Sequence, residues 1–291
     1  MIIMNKITKE ILKQIYPPRP TDSHKYDFGL LLIIGGGEFY TGSPALSAMA
    51  AFRAGVDMAQ ILAPKRAADI IAGFSPNLAA FPLKGDWLDK EDVPVLISHA
   101  ISAKSVAGEK TAVVVGGGVG RSQETQEAIA EFLEETDSKI VVDADAIYAL
   151  SKNPLSIKDN PAIITPNIHE FFILTGKKLE NLTIEEKVKI VQEEALKINS
   201  TILLKGFVDI ISDGKETVTD ETGTPYMTVG GTGDTLAGIC GAFLAMGFDP
   251  FLSAQAGSFI NGKAGELASK RLGASMTAMD LIDFIAEAIK L

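Results

Sequence analysis

Residues Glu221 to Gly241 read ETGTPYMTVGGTGDTLAGICG, and the rest of the chain is organised around them. At their centre, Gly230-Gly231-Thr232-Gly233-Asp234 puts three glycines into four positions. Such a run turns tightly and brings backbone N–H groups close to a ligand. A small and apolar stretch follows from Thr235 to Met246. In it Ala237, Gly238, Gly241, Ala242 and Ala245 recur at helical spacing, which predicts a helix packed closely against a neighbour. A glycine turn feeding a helix start offers free amides and the positive end of the helix dipole, a combination that favours an anion. Asp234 sits at that start, where an acid also makes a good N-cap. Capping alone does not need three glycines before it. The stretch therefore reads as an anion hole for a transferring phosphoryl group, with Asp234 as the base that takes a proton from the attacking hydroxyl.

Outward from this turn, apolar runs alternate with helical patterns. Strands are predicted at Leu30–Ile34, Val56–Ala63, Leu78–Pro82, Thr111–Val115, Lys139–Val142, Ala162–Thr165, Thr201–Lys205 and Val208–Ser212. Asp213-Gly214 signals a hairpin answered by Lys215–Val218. Helices are predicted from Ser43 to Phe52 with Gly55 as C-cap, near Arg66–Ala72, over Val95–Ala107, Gln123–Thr136 and Asn167–Thr175, and from the capping box Thr183–Glu186 to Ile198. Two more start near Pro250 and at Thr277. Residues 1–27 form a polar lead-in, with one amphipathic helix over Ile7–Ile15 stopped by Pro17, Pro18 and Pro20. No linker or repeat interrupts the pattern, so one domain over residues 1–291 is expected. The fold class is α/β, with a mainly parallel sheet covered by helices on both faces. Such sheets bind ligands at the carboxyl ends of their strands. Here those ends carry Gly35–Gly37, Gly116–Gly120, Asp143 and Asp145, Asn167–Glu170, and Lys205-Gly206.

Composition narrows the function. The chain has 291 residues, 46% of them hydrophobic, enough for a large core. A net charge of −10 argues against a nucleic-acid or anionic-membrane surface, so a polyanionic ligand needs a local site. The single Cys240 can make no internal disulfide and lies in an apolar helix, which suits a small core residue in a reducing, cytoplasmic setting. The first residues, MIIMNKITKE, show no signal-peptide hydrophobic region, and no apolar run reaches transmembrane length. The three histidines are scattered, without zinc-like spacing. Gly116–Gly120 is followed by Arg121-Ser122 rather than the Lys-Ser/Thr of a Walker A loop, and neither it nor Gly35–Gly37 fits the dinucleotide fingerprint. Either run can equally be a tight strand-to-helix turn.

At Gly230–Asp234 the chain resembles the ribokinase superfamily. From about Lys25 onward nearly the whole chain resembles the NAD(P)H-hydrate dehydratases. The matching residues are Tyr40-Thr41-Gly42-Ser43-Pro44, Arg53-Ala54-Gly55, Ser75-Pro76, Gly116–Gly120, Asp143-Ala144-Asp145, Thr165-Pro166-Asn167, Lys205-Gly206 and Met227–Gly238. Each is weak alone; their order and spacing carry the resemblance. It implies a ribokinase-like fold and a lyase of metabolite repair. ADP or ATP would phosphorylate the hydroxyl of hydrated NADH or NADPH, and loss of phosphate would restore the reduced ring. It further implies Asp234 as base and the amides of Gly231, Thr232 and Gly233 as the phosphoryl cradle. Ser43, Gly120 and Asn167 would touch the hydrated substrate. Lys205, Gly206, Phe207, Val208 and Asp209, with Gly233, would bind the nucleotide. Lys205 can otherwise be a solvated strand end. Asn167-Ile168-His169-Glu170 fits the Asn-x-x-Glu pattern of ribokinase-like kinases, in which the acid positions Mg²⁺ through water. Glu170 is also an acid in a helix's first turn, where acids are favoured anyway. A homo-oligomer is implied as well, a tetramer being one form it can take.

Three positions depart from the usual family pattern: Ser43 for alanine, Gly117 for proline, and Asn167 for the histidine of many bacterial members. Asn167 together with Asp209 is closer to the ATP-using eukaryotic members, and the donor stays open between ADP and ATP. The chain is too short for the N-terminal epimerase domain that many prokaryotic members carry. Two other classes compete: a ribokinase-like kinase for a vitamin precursor or sugar alcohol, and a nucleotide-binding protein without catalysis.

Overall fold

In the computed structural model, which describes residues 5–290, the glycine-bounded apolar runs form strands and the small-residue stretches form helices. The strands are β1 (Asn5–Lys6), β2 (Leu30–Ile34), β3 (Met58–Pro64), β4 (Ala79–Leu83), β5 (Thr111–Val115), β6 (Ile140–Val142), β7 (Ala162–Ile164), β8 (Thr201–Leu204), β9 (Asp209–Ser212) and β10 (Thr217–Asp220). The helices are α1 (Ile11–Ile15), α2 (Ser43–Ala54), α3 (Lys65–Phe74), α4 (Val93–Ala107), α5 (Gln123–Glu135), α6 (Asp145–Leu150), α7 (Ile168–Thr175), α8 (Ile184–Ile198), α9 (Thr232–Met246), α10 (Pro250–Leu272) and α11 (Ala278–Ala288).

The strands join one sheet in the order β1-β10-β9-β8-β7-β6-β5-β2-β3-β4. Only β9 runs antiparallel to its two neighbours, as the hairpin signal at Asp213-Gly214 requires. Successive side chains on a strand face opposite ways, and here each face has its own core. Leu31, Ile33, Val114 and Val141 meet α2, α9, α10 and α11 on one side. Leu30, Leu32, Val113 and Val142 meet α4 to α8 on the other. That double burial explains why the parallel strands read as unbroken apolar runs.

The small residues of α9 do what their spacing predicts. A side chain at Gly238 would collide with the Ser47 carbonyl of α2, and one at Gly257 of α10 with Cys240 Sγ. Cys240 itself is fully buried. Phe243 is fully buried on the same helix; truncating such a side chain to alanine costs about 3–5 kcal/mol.

Several boundaries shift for identifiable reasons. The lead-in helix starts at Ile11 rather than Ile7, because the pairing of Asn5 and Lys6 with β10 carries on to Ile7, whose N–H donates to Thr219 O at 2.9 Å; residues 1–4 of the lead-in lie outside the described residues. β3 starts at Met58 rather than Val56, whose N–H still closes α2 on Ala51 O at 3.2 Å. The hairpin turn runs on to Glu216, because Asp213 Oδ1 accepts from the N–H groups of Lys215 and Glu216 at 2.8 and 2.7 Å. Helix α6 was not anticipated.

The chain leaves β2 toward β3 and β4, then crosses back to β5 on the other side of β2. Strand order reverses there, and the crevice outside the carboxyl ends of such a pair is where open α/β sheets take ligands. The two glycine runs lie side by side at that point, with Gly36 N–H donating to Gly117 O at 2.8 Å.

Candidate active site

The Gly230–Asp234 turn lies over this crevice. Gly231 is the residue that precedes α9, with φ +99°, a left-handed conformation open to glycine. A Cβ on it would stand 2.6 Å from Leu46 Cδ1 and 2.8 Å from Ala278 Cβ. Gly231 is thus the N-cap, and Asp234 is the third residue of the helix rather than its cap. No side chain caps α9, so its first amides are free for an anion. The Thr232 hydroxyl turns back and donates to Met227 O at 2.8 Å, leaving its backbone amide as its contribution to the cradle.

A cavity opens on each side of the turn. The first, about 420 Å³, is lined by Lys205, Gly206, Phe207, Asp209, Thr232 and Gly233, together with Ser258 and Asn261 of α10. The second, about 600 Å³, is lined by Asp234, Gly120, Arg121 and Asp145, with Tyr40 and Trp87 at its rim. The predicted nucleotide-binding residues Lys205, Gly206, Phe207, Asp209 and Gly233 share the first cavity. Val208 faces a neighbouring depression of about 310 Å³ with Ile168 and Leu204. Gly120 and Asp234 share the second.

Two predicted substrate contacts do not line either cavity. Ser43 is fully buried, and its hydroxyl donates to Asp234 Oδ1. Asn167 caps α7: its Oδ1 accepts from Glu170 N–H at 2.9 Å, and its own N–H donates to Glu170 Oε2 at 2.8 Å.

The charges form one connected group. Lys205 Nζ donates to Asp143 Oδ1 at 2.9 Å and lies 3.7 Å from Glu170 Oε2. Burial pulls the Lys205 ammonium down, but Asp143 and Glu170 outweigh it and its pKa is raised. Thr165 Oγ1 donates to the same Asp143 oxygen at 2.7 Å. Asp234 is 8% exposed. Burial, and then the Asp143 charge, push its carboxyl up to about 7, against the opposing Ser43 hydrogen bond and Lys205. An acid poised there can both accept and release a proton near neutral pH. Asp209 is pushed up to about 6, chiefly by burial; its Oδ2 lies 2.8 Å from Ser258 Oγ, which is also 2.7 Å from Asp220 Oδ2.

The second cavity adds residues to which no contact was assigned from the sequence. Asp145 Oδ2 accepts from Gly120 N–H at 3.0 Å and its Oδ1 from Arg121 Nε at 2.7 Å, which braces the glycine loop. The Arg121 guanidinium stacks 3.9 Å over the Tyr148 ring. Tyr40 is 41% and Trp87 51% exposed, and both line this cavity. Trp87 carried no signal in its own neighbourhood.

Comparisons with known proteins place the chain among relatives by sequence and by fold. The family model described as NAD(P)H-hydrate dehydratase matches residues 31–287. The chain is 41% identical over 275 residues to the bifunctional NAD(P)H-hydrate repair enzyme Nnr of Pyrobaculum aerophilum, an alignment that covers 94% of this chain and 52% of that protein. The chain thus spans about half the length of such bifunctional relatives. It is 34% identical over 285 residues to the ADP-dependent (S)-NAD(P)H-hydrate dehydratase of Nitrosopumilus maritimus, covering 98% of this chain and 96% of that one. Its fold superposes with a TM-score of 0.82 on the ADP/ATP-dependent NAD(P)H-hydrate dehydratase of Bacillus subtilis co-crystallised with ATP and Mg²⁺, at 23% identity over 100% of this chain and 99% of that chain. On the strength of the family model and of the archaeal relatives, this chain belongs to the NAD(P)H-hydrate dehydratase family.

Proposed function

We propose that the chain dehydrates hydrated NADH or NADPH, using an adenine nucleotide as phosphoryl donor. The observation that carries this reading is the placement of one helix start between two cavities, with Gly233 lining one and Asp234 lining the other. A phosphoryl group bound at the amides of Thr232 and Gly233 then faces a hydroxyl held beside Asp234. Asp234 takes the hydroxyl proton as the new O–P bond forms and the bond to the nucleotide breaks. Phosphate then leaves with the substrate oxygen, a neighbouring ring carbon gives up a proton, and the double bond of the reduced nicotinamide returns.

Lys205, held by Asp143 and Glu170, supplies a fixed positive charge at the edge of the phosphate cradle. Gly120 and the aromatic rim of Tyr40 and Trp87 take the dinucleotide. Asn167 and Ser43 support the site from behind, through α7 and Asp234 respectively.

Mg²⁺ fits the Glu170 carboxylate, which pairs with Lys205 at the edge of the first cavity. Glu170 Oε1 makes no hydrogen bond to the described residues, and among these no group of three acidic, His or Cys side chains forms a ready-made cage. A cation that keeps several waters and binds phosphates suits one carboxylate acting through water. Glu170 would hold it, and when bound it would neutralise charge on the transferring phosphate. The name of the full-length Nitrosopumilus maritimus relative supports ADP as the donor.

Cytoplasmic action is part of the proposal, supported by the single free thiol. A homo-oligomer is too, supported by exposed Ile70 and Phe74 on α3 and Phe81 on the adjoining β4. Sedimentation of the purified chain checks the latter.

The test follows the near-ultraviolet absorbance of reduced nicotinamide, with purified protein, NADH-hydrate, Mg²⁺ and either ADP or ATP. Growth with one nucleotide establishes the dehydratase and names the donor. A phosphorylated alcohol that accumulates instead replaces it with a kinase.

A further inference from the structure

We propose that Ser43 is a positioning residue for Asp234, and that Gly117 lacks a side chain so that the Ser43 hydroxyl has room to act. The proposal rests on the reading of Asp234 as the base. Ser43 opens α2 and is fully buried, so its side chain cannot meet a ligand in either cavity. Its hydroxyl is the hydrogen-bond donor that reaches the Asp234 carboxylate among the described residues, and it engages Oδ1. One turn later Ser47 Oγ donates to the backbone carbonyl of Asp234 at 2.9 Å. Helix α2 therefore grips the base at two points. Among the described residues Oδ2 is left without a hydrogen bond, on a residue that lines the substrate cavity. The geometry assigns Oδ2 as the proton acceptor and Oδ1 as the anchored oxygen.

Gly117 completes the device from the opposite side of the crevice. A Cβ built there would fall on Ser43 Oγ and stand 2.6 Å from Asp234 Oδ1. Gly117 is not among the glycines with positive φ, so its backbone would accept another residue. What excludes a side chain is the occupied space. A buried hydroxyl that donates to a carboxylate favours the ionised form. It also fixes the rotamer in a pocket where the carboxylate is otherwise desolvated.

Two experiments test this. In Ser43→Ala, the acid limb of the kcat/KM profile moves up by about one pH unit, giving roughly a tenfold loss at about pH 6 that narrows as pH rises. KM for NADH-hydrate stays near that of the unmodified chain. A uniform loss at all pH, or a loss confined to KM, overturns the positioning role. The same shift is read without turnover from the pH dependence of the denaturation midpoint.

The second experiment is a stability cycle. Gly117→Ala lowers Tm by about 5 °C in the unmodified chain, and by clearly less in the Ser43→Ala background. Additive shifts overturn the Ser43–Gly117 coupling. If the unmodified chain shows no turnover, the dehydratase reading falls, while the denaturation measurements still decide the fate of the pair.

Discussion

The cavity beside Gly233 and the cavity beside Asp234 share one helix start, yet they are built from different materials. The first is walled by backbone amides, glycines and Lys205, which Asp143 and Glu170 back. The second is lined by aromatic side chains and a stacked guanidinium. The difference teaches what each half must accomplish. A phosphoryl group in transfer needs charge and donors fixed in place before it arrives. A large ring system needs flat apolar surface that holds it without dictating every atom.

The segment Asp143-Ala144-Asp145 shows the division within three residues. Asp143 faces Lys205 on the phosphate side, and Asp145 holds the Gly120 loop on the other. Ala144 between them has φ +49° and ψ −123°, a conformation that non-glycine residues rarely adopt. The strain sits where two neighbouring acids are sent into different sites.

The comparison can be broken first at Asp234, where the two halves meet. Asp234→Asn keeps the shape and removes the base; kcat in the absorbance assay is expected to fall about 10³-fold, with nucleotide affinity nearly unchanged by calorimetry. A Lys205→Met change strikes the phosphate half alone. It leaves Asp143 and Glu170 without their partner, so a stability loss of about 3 kcal/mol is expected along with weaker ADP or ATP binding. Denaturant titration and calorimetry separate the two effects.

Acidity sharpens the same contrast. Asp234 must be ionised to act, so kcat/KM should rise with pH through about 7. Stability should move the other way. The Asp234 and Asp209 carboxyls, pushed up to about 7 and about 6, hold protons more tightly folded than unfolded. The stability they contribute is full below the ordinary carboxylate range and is lost as pH rises through those values. A denaturation midpoint that falls between about pH 4 and 7, less so in Asp234→Asn, is the expected record.

The substrate half should respond more gently. Trp87 is the single tryptophan of the chain, so its fluorescence reports on that rim. NADH or NADPH should quench it while ADP alone changes it little, and Trp87→Leu should raise KM for the hydrate about 2–10-fold. The smallest effect belongs to the hinge between the halves. Ala144→Gly should relieve the backbone and raise stability by roughly 1 kcal/mol, with kcat little altered.

What could be read from the sequence follows from range. Leu30–Ile34 and Thr111–Val115 were legible because burial on both faces leaves uninterrupted apolar runs, and a glycine turn ends each of them. The Gly230–Asp234 turn was legible because its backbone demands are local. Helix α6 was not, since six residues are too few to show a helical period. Contacts between distant residues were invisible one at a time. Asp143 meets Lys205 across 62 residues, and Ser43 meets Asp234 across 191. Ser43 and Gly117 stood out in the sequence as two unrelated departures from a family pattern, and the fold makes them neighbours around one carboxylate. Trp87 joined the rim through folding alone.

The burial of Cys240 has a consequence for kinetics. Its thiol lies between α9 and α10, fully enclosed and pushed well above its ordinary pKa by burial. It is the only cysteine in the chain, so any thiol reagent that reacts is timing how often the packing behind the phosphate turn comes apart. The molecule thus carries its own stopwatch for opening, seated on the same helix less than two turns behind the residue proposed as its base.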